Sequence, residues 1–327
     1  MPFMSTARAP RRVRSTRGAL LDQSIARRIP RDCYPAISLA MRPQLRTIER
    51  VQKLTGSKSV AWRKIDRGYT VAERWLAKLE NGSSVFIKQA SDQDTEGWLR
   101  AEYKAYEALD ENFLPKLIGW DGGDDPILVL EDLSTGFWPP PWSNTHVEQV
   151  LQLLDRLAIT TAPHHFPSLA ADPTVFAGWA GVANEPSGFL GLGLVSRAWL
   201  DRALPVLVRA EAAAELAGDV LVHGDPRSDN MCLLPNRTVL VDWNGASRGN
   251  PKFDLIAWLP SLHAEGGPAP WRITTSEPEL IAAISGYFAY RAWQPPLKQG
   301  PAVRQLQLAQ LRSALPWAAR ALNLARL

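Results

Sequence analysis

The chain has 327 residues, 46% hydrophobic and 21% charged, a globular balance with enough length for two domains or two lobes of one. No apolar run reaches the ~18 residues that a membrane helix needs, so a membrane partner is excluded at this level. The formal net charge of +4 is mild and unevenly placed. Arg8, Arg11, Arg12, Arg14, Arg17, Arg27, Arg28 and Arg31 face Asp22 alone within residues 1–31, with no apolar stretch of the kind a secretory signal carries. Residues 1–41 are expected to be a basic, disordered tail, and Met41 opens a stretch that contains every motif discussed below. A transit-like peptide or a nucleic-acid-binding arm are the other readings of such a segment, and a nucleic-acid partner is not the expectation. Cys33 and Cys232 form no C-x-x-C pair, and the five histidines form no zinc spacing, so a reducing, cytoplasmic compartment is expected.

Residues 72–79 (AERWLAKL) and 84–90 (SVFIKQA) are strand candidates. The Asn81-Gly82 step between them is the strongest short hairpin signal. Residues 95–109 place Trp98, Leu99, Tyr103, Tyr106 and Leu109 at helical spacings, and Ile127–Leu130 is a short buried-strand candidate. The texture changes after residue 133. Pro139-Pro140-Pro141 breaks the chain, and residues 144–159, 195–217, 277–292 and 301–326 then read as helices, the last opened by Pro301 and kinked at Pro316. The expected architecture is α+β and two-lobed. Residues 42–133 make a small β-rich N-terminal nucleotide-binding lobe, and residues 134–327 a larger helical C-terminal lobe for catalysis and substrate binding. A cleft between such lobes is a natural ligand site.

One β island, residues 219–243 (DVLVHGDPRSDNMCLLPNRTVLVDW), interrupts the helical lobe. Val220–Val222 is a short strand, and Met231–Leu234 and Val239–Val241 form a hairpin around Pro235-Asn236-Arg237. The island holds three oxygen-bearing side chains, Asp225, Asn230 and Asp242, on loops and strand ends of one compact unit. Hard oxygen ligands suit Mg²⁺, which takes few protein groups and fills its other positions with water or phosphate. A carboxylate at Asp225 can orient a substrate hydroxyl and accept its proton. The residues by themselves therefore point to metal-assisted phosphoryl transfer or hydrolysis.

His223-Gly224-Asp225-x-x-x-x-Asn230 resembles the H-G-D-x-x-x-x-N catalytic loop of the aminoglycoside phosphotransferase and choline kinase superfamily, which has the protein-kinase-like fold. Asp242 falls where that family places its main metal-binding aspartate. Gly249-Asn250-Pro251-x-x-Asp254-Leu255 is similar to its following G-D-P-x-x-D-L segment, with Asn250 in place of the usual aspartate. The resemblance implies ATP as phosphate donor and Mg²⁺ held by Asn230 and Asp242, with Asp225 as the catalytic group. It makes Lys88 the strand lysine that meets the α/β-phosphates. Glu102 is its helix partner, with Glu96 and Glu107 as alternatives on the same helix. Backbone groups of Glu131 and Leu133 form the adenine-binding hinge, and Gly68, in Gly68-Tyr69-Thr70, lies in the nucleotide-covering loop. That loop departs from the Gly-rich pattern of protein kinases, having a single glycine. Arg227 is assigned to offset charge on the γ-phosphate, and His223 to brace the loop.

There is no G-x-x-x-x-G-K-[ST], Gly56-Ser57-Lys58-Ser59 being only an echo of it, and no G-x-G-x-x-G. The absence of D-F-G and A-P-E segments argues against a protein kinase. The expected function is an ATP-dependent phosphotransferase acting on a small-molecule hydroxyl; the alternative is an inactive kinase-fold protein that binds nucleotide in a regulatory role. For the acceptor, no acidic residue follows Glu279, whereas Arg291, Lys298, Arg304, Arg312, Arg320 and Arg326 do. Glu148, Asp155, Asp201 and Glu211 fall on predicted helix surfaces. A neutral or partly apolar hydroxyl compound is thus favoured over a polycationic aminoglycoside, with Asp254 and Glu265 left as partners for a single amine. The Gly-rich, aromatic stretch Gly178–Gly193 is expected to be a substrate-covering loop.

Overall fold

The structure, a computed structural model, describes residues 42–66, 71–297 and 302–327. Gly68 and Pro301 lie outside the described residues. The chain opens with α1 (Leu45–Thr55), ended by Gly56 at φ +67°, and β1 (Ser59–Lys64). β2 (Glu73–Leu79) and β3 (Ser84–Gln89) form the hairpin that Asn81-Gly82 signals, with Gly82 at φ +87°. α2 (Gln93–Ala108) starts on a capping box in which the Asp92 carboxylate accepts the Thr95 N–H while the Thr95 hydroxyl accepts the Asp92 N–H. β4 (Leu117–Asp121) and β5 (Ile127–Glu131) complete an antiparallel sheet in the order β1-β2-β3-β5-β4.

Strand alternation divides the sheet into two faces. Trp75, Ala77, Val85, Ile87, Ile127 and Val129 turn to one face and pack with Val51 of α1 into a separate small core. Phe86, Leu128 and Leu130 turn to the other face and join the main core of the molecule. The central strands are therefore apolar on both faces, which is why β5 reads as an unbroken apolar run. Burying each such side chain contributes about 1.5–3 kcal/mol.

The helical part comprises α3 (Asn144–Leu157), α4 (Gly178–Asn184), α5 (Pro186–Leu190) and α6 (Arg197–Ala212). The β island follows as β6 (Val220–Val222), β7 (Met231–Leu234), β8 (Arg237–Leu240) and β9 (Ser247–Gly249). β6 pairs with β9 and β7 with β8, both antiparallel. α7 (Phe253–Ala264), α8 (Pro278–Arg291) and α9 (Val303–Ala321), which runs through Pro316, close the chain.

Two expectations are corrected here. The stretch Gly178–Gly193 is not an open loop, for α4 and α5 occupy most of it. Its glycines serve close packing: a Cβ on Gly178 would lie 1.8 Å from the Gly286 carbonyl oxygen of α8. Glu211 is not on a helix surface but 8% exposed, accepting the Trp179 and Ala180 N–H groups at 2.8 and 3.0 Å. A carboxylate at the orphan donors of a helix start is favoured by their partial positive charge. Burial in an apolar surrounding dominates even so and pushes the Glu211 carboxyl up to about 7.

Candidate active site

Lys88 sits on β3, one position from Ile87, and so turns away from the small core toward the helical part. Its ammonium reaches Glu102 Oε2 of α2 and Asp242 Oδ1 after β8, each at 2.6 Å. Thr95, Leu99, Glu102 and Tyr106 recur at helical spacing on the buried side of α2, which draws Glu102 to 2% exposure. The two alternatives are engaged elsewhere, Glu96 with Arg100 at 2.7 Å and Glu107 with the Tyr103 hydroxyl at 2.7 Å. Burial opposes the Lys88 charge, but the Glu102 and Asp242 carboxylates outweigh it and hold the pKa above its ordinary value. Burial likewise raises the Asp242 carboxyl, and Lys88 more than reverses this, so its pKa is lowered. Glu102, the deeper acid, is pushed up by burial despite Lys88.

Asp242 takes φ +68°, a left-handed conformation that costs a non-glycine residue of order 1 kcal/mol or more. Tyr106 helps to hold it there. Its hydroxyl donates to Glu102 Oε1 at 3.2 Å and receives a backbone hydrogen bond from Asp242. Sequence reasoning did not single out Tyr106 for this, since its aromatic ring satisfies the helical pattern without any polar duty.

The loop from His223 to Asn230 is fixed from below. Asp254 is 5% exposed on α7 and accepts the His223 and Gly224 N–H groups at 2.7 and 2.9 Å. Burial raises its pKa. With both oxygens spent inside, Asp254 has none for the amine expected of it; Glu265 is left, and it already accepts the Trp142 indole N–H at 2.8 Å and the Ser228 hydroxyl. Gly224 stands at φ +87°, so a side chain there would be strained. His223 is fully buried against Trp243. The Val241 carbonyl can only accept, so His223 Nε2 carries the proton in that 2.9 Å contact, and Nδ1 accepts the Asp225 N–H at 3.2 Å. Burial lowers the imidazole pKa and keeps this neutral tautomer.

Asp225 emerges from this support half-exposed, with Arg227 Nε 2.8 Å from Oδ1 and Asn230 Nδ2 3.4 Å from Oδ2. The surrounding protein pushes its carboxyl pKa up, with Arg227 opposing. Asn230 Nδ2 also donates to the Asp225 carbonyl at 3.0 Å, so its Oδ1 is the atom left for a ligand. Neither Asn230 Oδ1 nor Asp242 Oδ2 accepts a hydrogen bond within the described residues. Two hard oxygens in this state fit Mg²⁺, an ion that completes its shell with water and phosphate. Among the described residues, no group of three or more His, Cys, Asp and Glu side chains is placed to hold a metal by itself.

Glu131 and Leu133 lie at and just past the end of β5. The Glu131 N–H donates to the Lys116 carbonyl at 2.9 Å, so it is not free for a base. The Glu131 carboxylate clamps Arg237 Nη2 at 2.6 and 2.7 Å and accepts the Lys116 N–H, a role that sequence reasoning missed. The Leu133 carbonyl accepts the Gly136 N–H at 3.0 Å and the Trp138 indole at 3.3 Å, with Cys232 Sγ at 3.6 Å. Its N–H donates to no group of the described residues. The site thus unites Lys88, Glu102, Asp225, Arg227, Asn230 and Asp242 from segments up to 154 residues apart, with the hinge segment at the end of β5.

Solved structures share this architecture. A spectinomycin phosphotransferase, solved with ADP and spectinomycin, superposes with a TM-score of 0.52 at 12% identity, over 86% of this chain and 99% of that one. An aminoglycoside phosphotransferase from Alicyclobacillus acidocaldarius gives 0.54 at 14% identity, over 87% and 96%. A choline/ethanolamine kinase family protein from Mesorhizobium loti gives 0.54 at 14% identity, over 81% and 92%. Such likeness establishes the protein-kinase-like α+β fold. No protein of curated function matches the sequence. The sequence profile of the phosphotransferase enzyme family matches residues 61–297, most of the chain and every residue of the site, and the chain belongs to that family.

Proposed function

We propose that this protein is an ATP-dependent kinase of a small-molecule hydroxyl. The observation that carries the reading is the meeting of Lys88, Glu102 and Asp242 at 2.6 Å, beside a loop that presents Asp225 to solvent. Lys88 binds the α/β-phosphates, and Arg227 offsets charge that builds on the transferred phosphoryl group. Asn230 and Asp242 would hold Mg²⁺, which would neutralise phosphate charge. The Leu133 N–H and the Glu131 carbonyl receive the adenine edge. Asp225 orients the acceptor hydroxyl and takes its proton as the oxygen bonds to the γ-phosphorus and the bond to the ADP oxygen breaks. Arg227 on one oxygen and the Asn230 amide near the other favour the ionised, acceptor state that this step needs, against the burial that raises the Asp225 pKa.

The acceptor is a neutral or partly apolar hydroxyl compound. Asp254 is unavailable to an amine. Arg291 and Arg320, stacked on Tyr287 and Trp271 at 4.0 and 5.0 Å, add to the cationic character of the last helices. The test is ADP release from Mg-ATP across aminoglycosides, macrolides, nucleosides, choline, homoserine and sugars, with Asp225→Ala alongside. Acceptor-dependent release that vanishes in the variant is the expected result. Failure to bind Mg-ATP or Mg-GTP at all would remove the reading at its root.

A further inference from the structure

Arg74 stands directly opposite Lys88 in the register of β2 on β3. Directly opposed residues share a face, and the neighbours of Arg74 agree with this. Trp75 and Ala77 turn into the small core, so Arg74 and Leu76 turn with Lys88 and Phe86 toward the cleft. Two cations opposed across a strand pair repel and weaken the sheet. Such a pair persists where negative charge is gathered to meet it. Glu102 and Asp242 set two negative charges against the two cations, and a Mg²⁺ ion on Asp242 would draw off one of them.

A nucleotide adds several more negative charges at this place. Protein kinases cover the phosphates with backbone N–H groups of a glycine-rich loop. Here the segment before β2 has Gly68 as its single glycine within residues 60–80. Arg74 lies six positions further on, on β2. Its Nη1 donates to the Ala72 carbonyl at 2.9 Å, which steadies the guanidinium on its own strand. Burial lowers the Arg74 pKa, and the charges of Asp242 and Glu102 pull it back up, so the guanidinium lies within electrostatic reach of the Lys88 cluster.

Resting on the phosphotransferase reading, we infer that Arg74 is a second phosphate-binding cation, which contacts the β/γ-phosphates from β2. The assignment predicts an effect that depends on the number of phosphates. Calorimetric titration of the full chain with Mg-ATP, Mg-ADP and AMP compares the natural protein with Arg74→Gln and Arg74→Lys. Loss of a charge-assisted contact weakens Mg-ATP and Mg-ADP by about tenfold or more in Arg74→Gln and AMP by less than about twofold. Arg74→Lys keeps the charge and recovers part of the loss, and it carries the comparison if the glutamine variant does not fold. Equal weakening of all three nucleotides would make Arg74 a structural residue, and no weakening would make it irrelevant to phosphate; either overturns the inference alone. A natural protein that binds none of the three overturns the phosphotransferase reading together with it.

Discussion

Asp225 is half in solvent, with an arginine on one oxygen and an amide near the other. Replacing it by asparagine keeps the shape and removes the proton acceptor. Asp225→Asn should lower kcat by about a thousandfold while leaving Mg-ATP affinity within about threefold; a variant with near-normal turnover in a steady-state assay would exclude Asp225 from the chemistry. The residues of this loop could be singled out because they sit in one contiguous motif, and their roles came from the family loop that it resembles. Glu102 was chosen over Glu96 and Glu107 on the resemblance, with those two kept as alternatives. What selects it is burial against Lys88, which depends on how α2 lies under the sheet. Arg74 and Tyr106 carried no signal, because the register of β2 on β3 and the approach of Asp242 to α2 are tertiary facts. Asp254 was seen as a motif member and given the wrong task. A carboxylate written as a potential amine ligand is buried, and its two oxygens hold backbone.

At the level of elements, the amphipathic helices α2, α3 and α6 and the hairpin of β2 and β3 announce themselves by period and by turn residues. α7 has no counterpart among the predicted elements. Phe253–Ala264 is apolar nearly all round and contains Pro260, so it offers no 3.6-residue stripe to detect. The glycines of α4 misled in the opposite direction, reading as flexibility where they permit contact. That contact brings Glu211 to the start of α4 and sets up a pH effect. A folded-state pKa of about 7, above the ordinary 4.5, means that the native state holds its proton more tightly than the unfolded chain. The stability so gained is complete below about pH 4.5 and is lost as pH rises through about 7, an amount on the order of 3 kcal/mol. Glu211→Gln removes the titration. The melting temperature of the natural protein should therefore fall relative to this variant between pH 5 and 8; a constant difference across that range would place the Glu211 pKa near its unfolded value.

On the scale of the whole molecule, the order of a strand-rich segment, an apolar strand and a helical segment with one β island was readable, and it gave the fold class. The contacts that join the parts were not. The Glu131–Arg237 clamp spans 106 residues and the Trp142–Glu265 bond 123, and no motif signals either pairing. The proposed hinge carries a consequence for the nucleotide. Two donors fill the lone pairs of the Leu133 carbonyl, so this residue offers a base only its N–H. Adenine N1 accepts such a bond, whereas guanine presents N1–H and a 2-amino group there and would leave donors facing a donor. Mg-ATP should bind at least about tenfold more tightly than Mg-GTP; equal affinities in the same titration would rule out this hinge geometry.

Asp254 ties the His223 and Gly224 amides to α7, a helix more than 25 positions downstream, and not to the strands that flank them in sequence. The loop is in effect suspended from the interior of the helical part. Deuterium uptake at those two amides should then follow the opening of α7 and not the local breathing of an exposed turn. Their exchange should be as slow as that of the α7 amides and should accelerate in step with them when Trp258 is truncated. Uptake as fast as at the neighbouring Arg227 and Asp229 would show the suspension to be slack. If it is taut, substitutions deep in the helical packing, with no contact to any ligand, will be felt as changes in turnover.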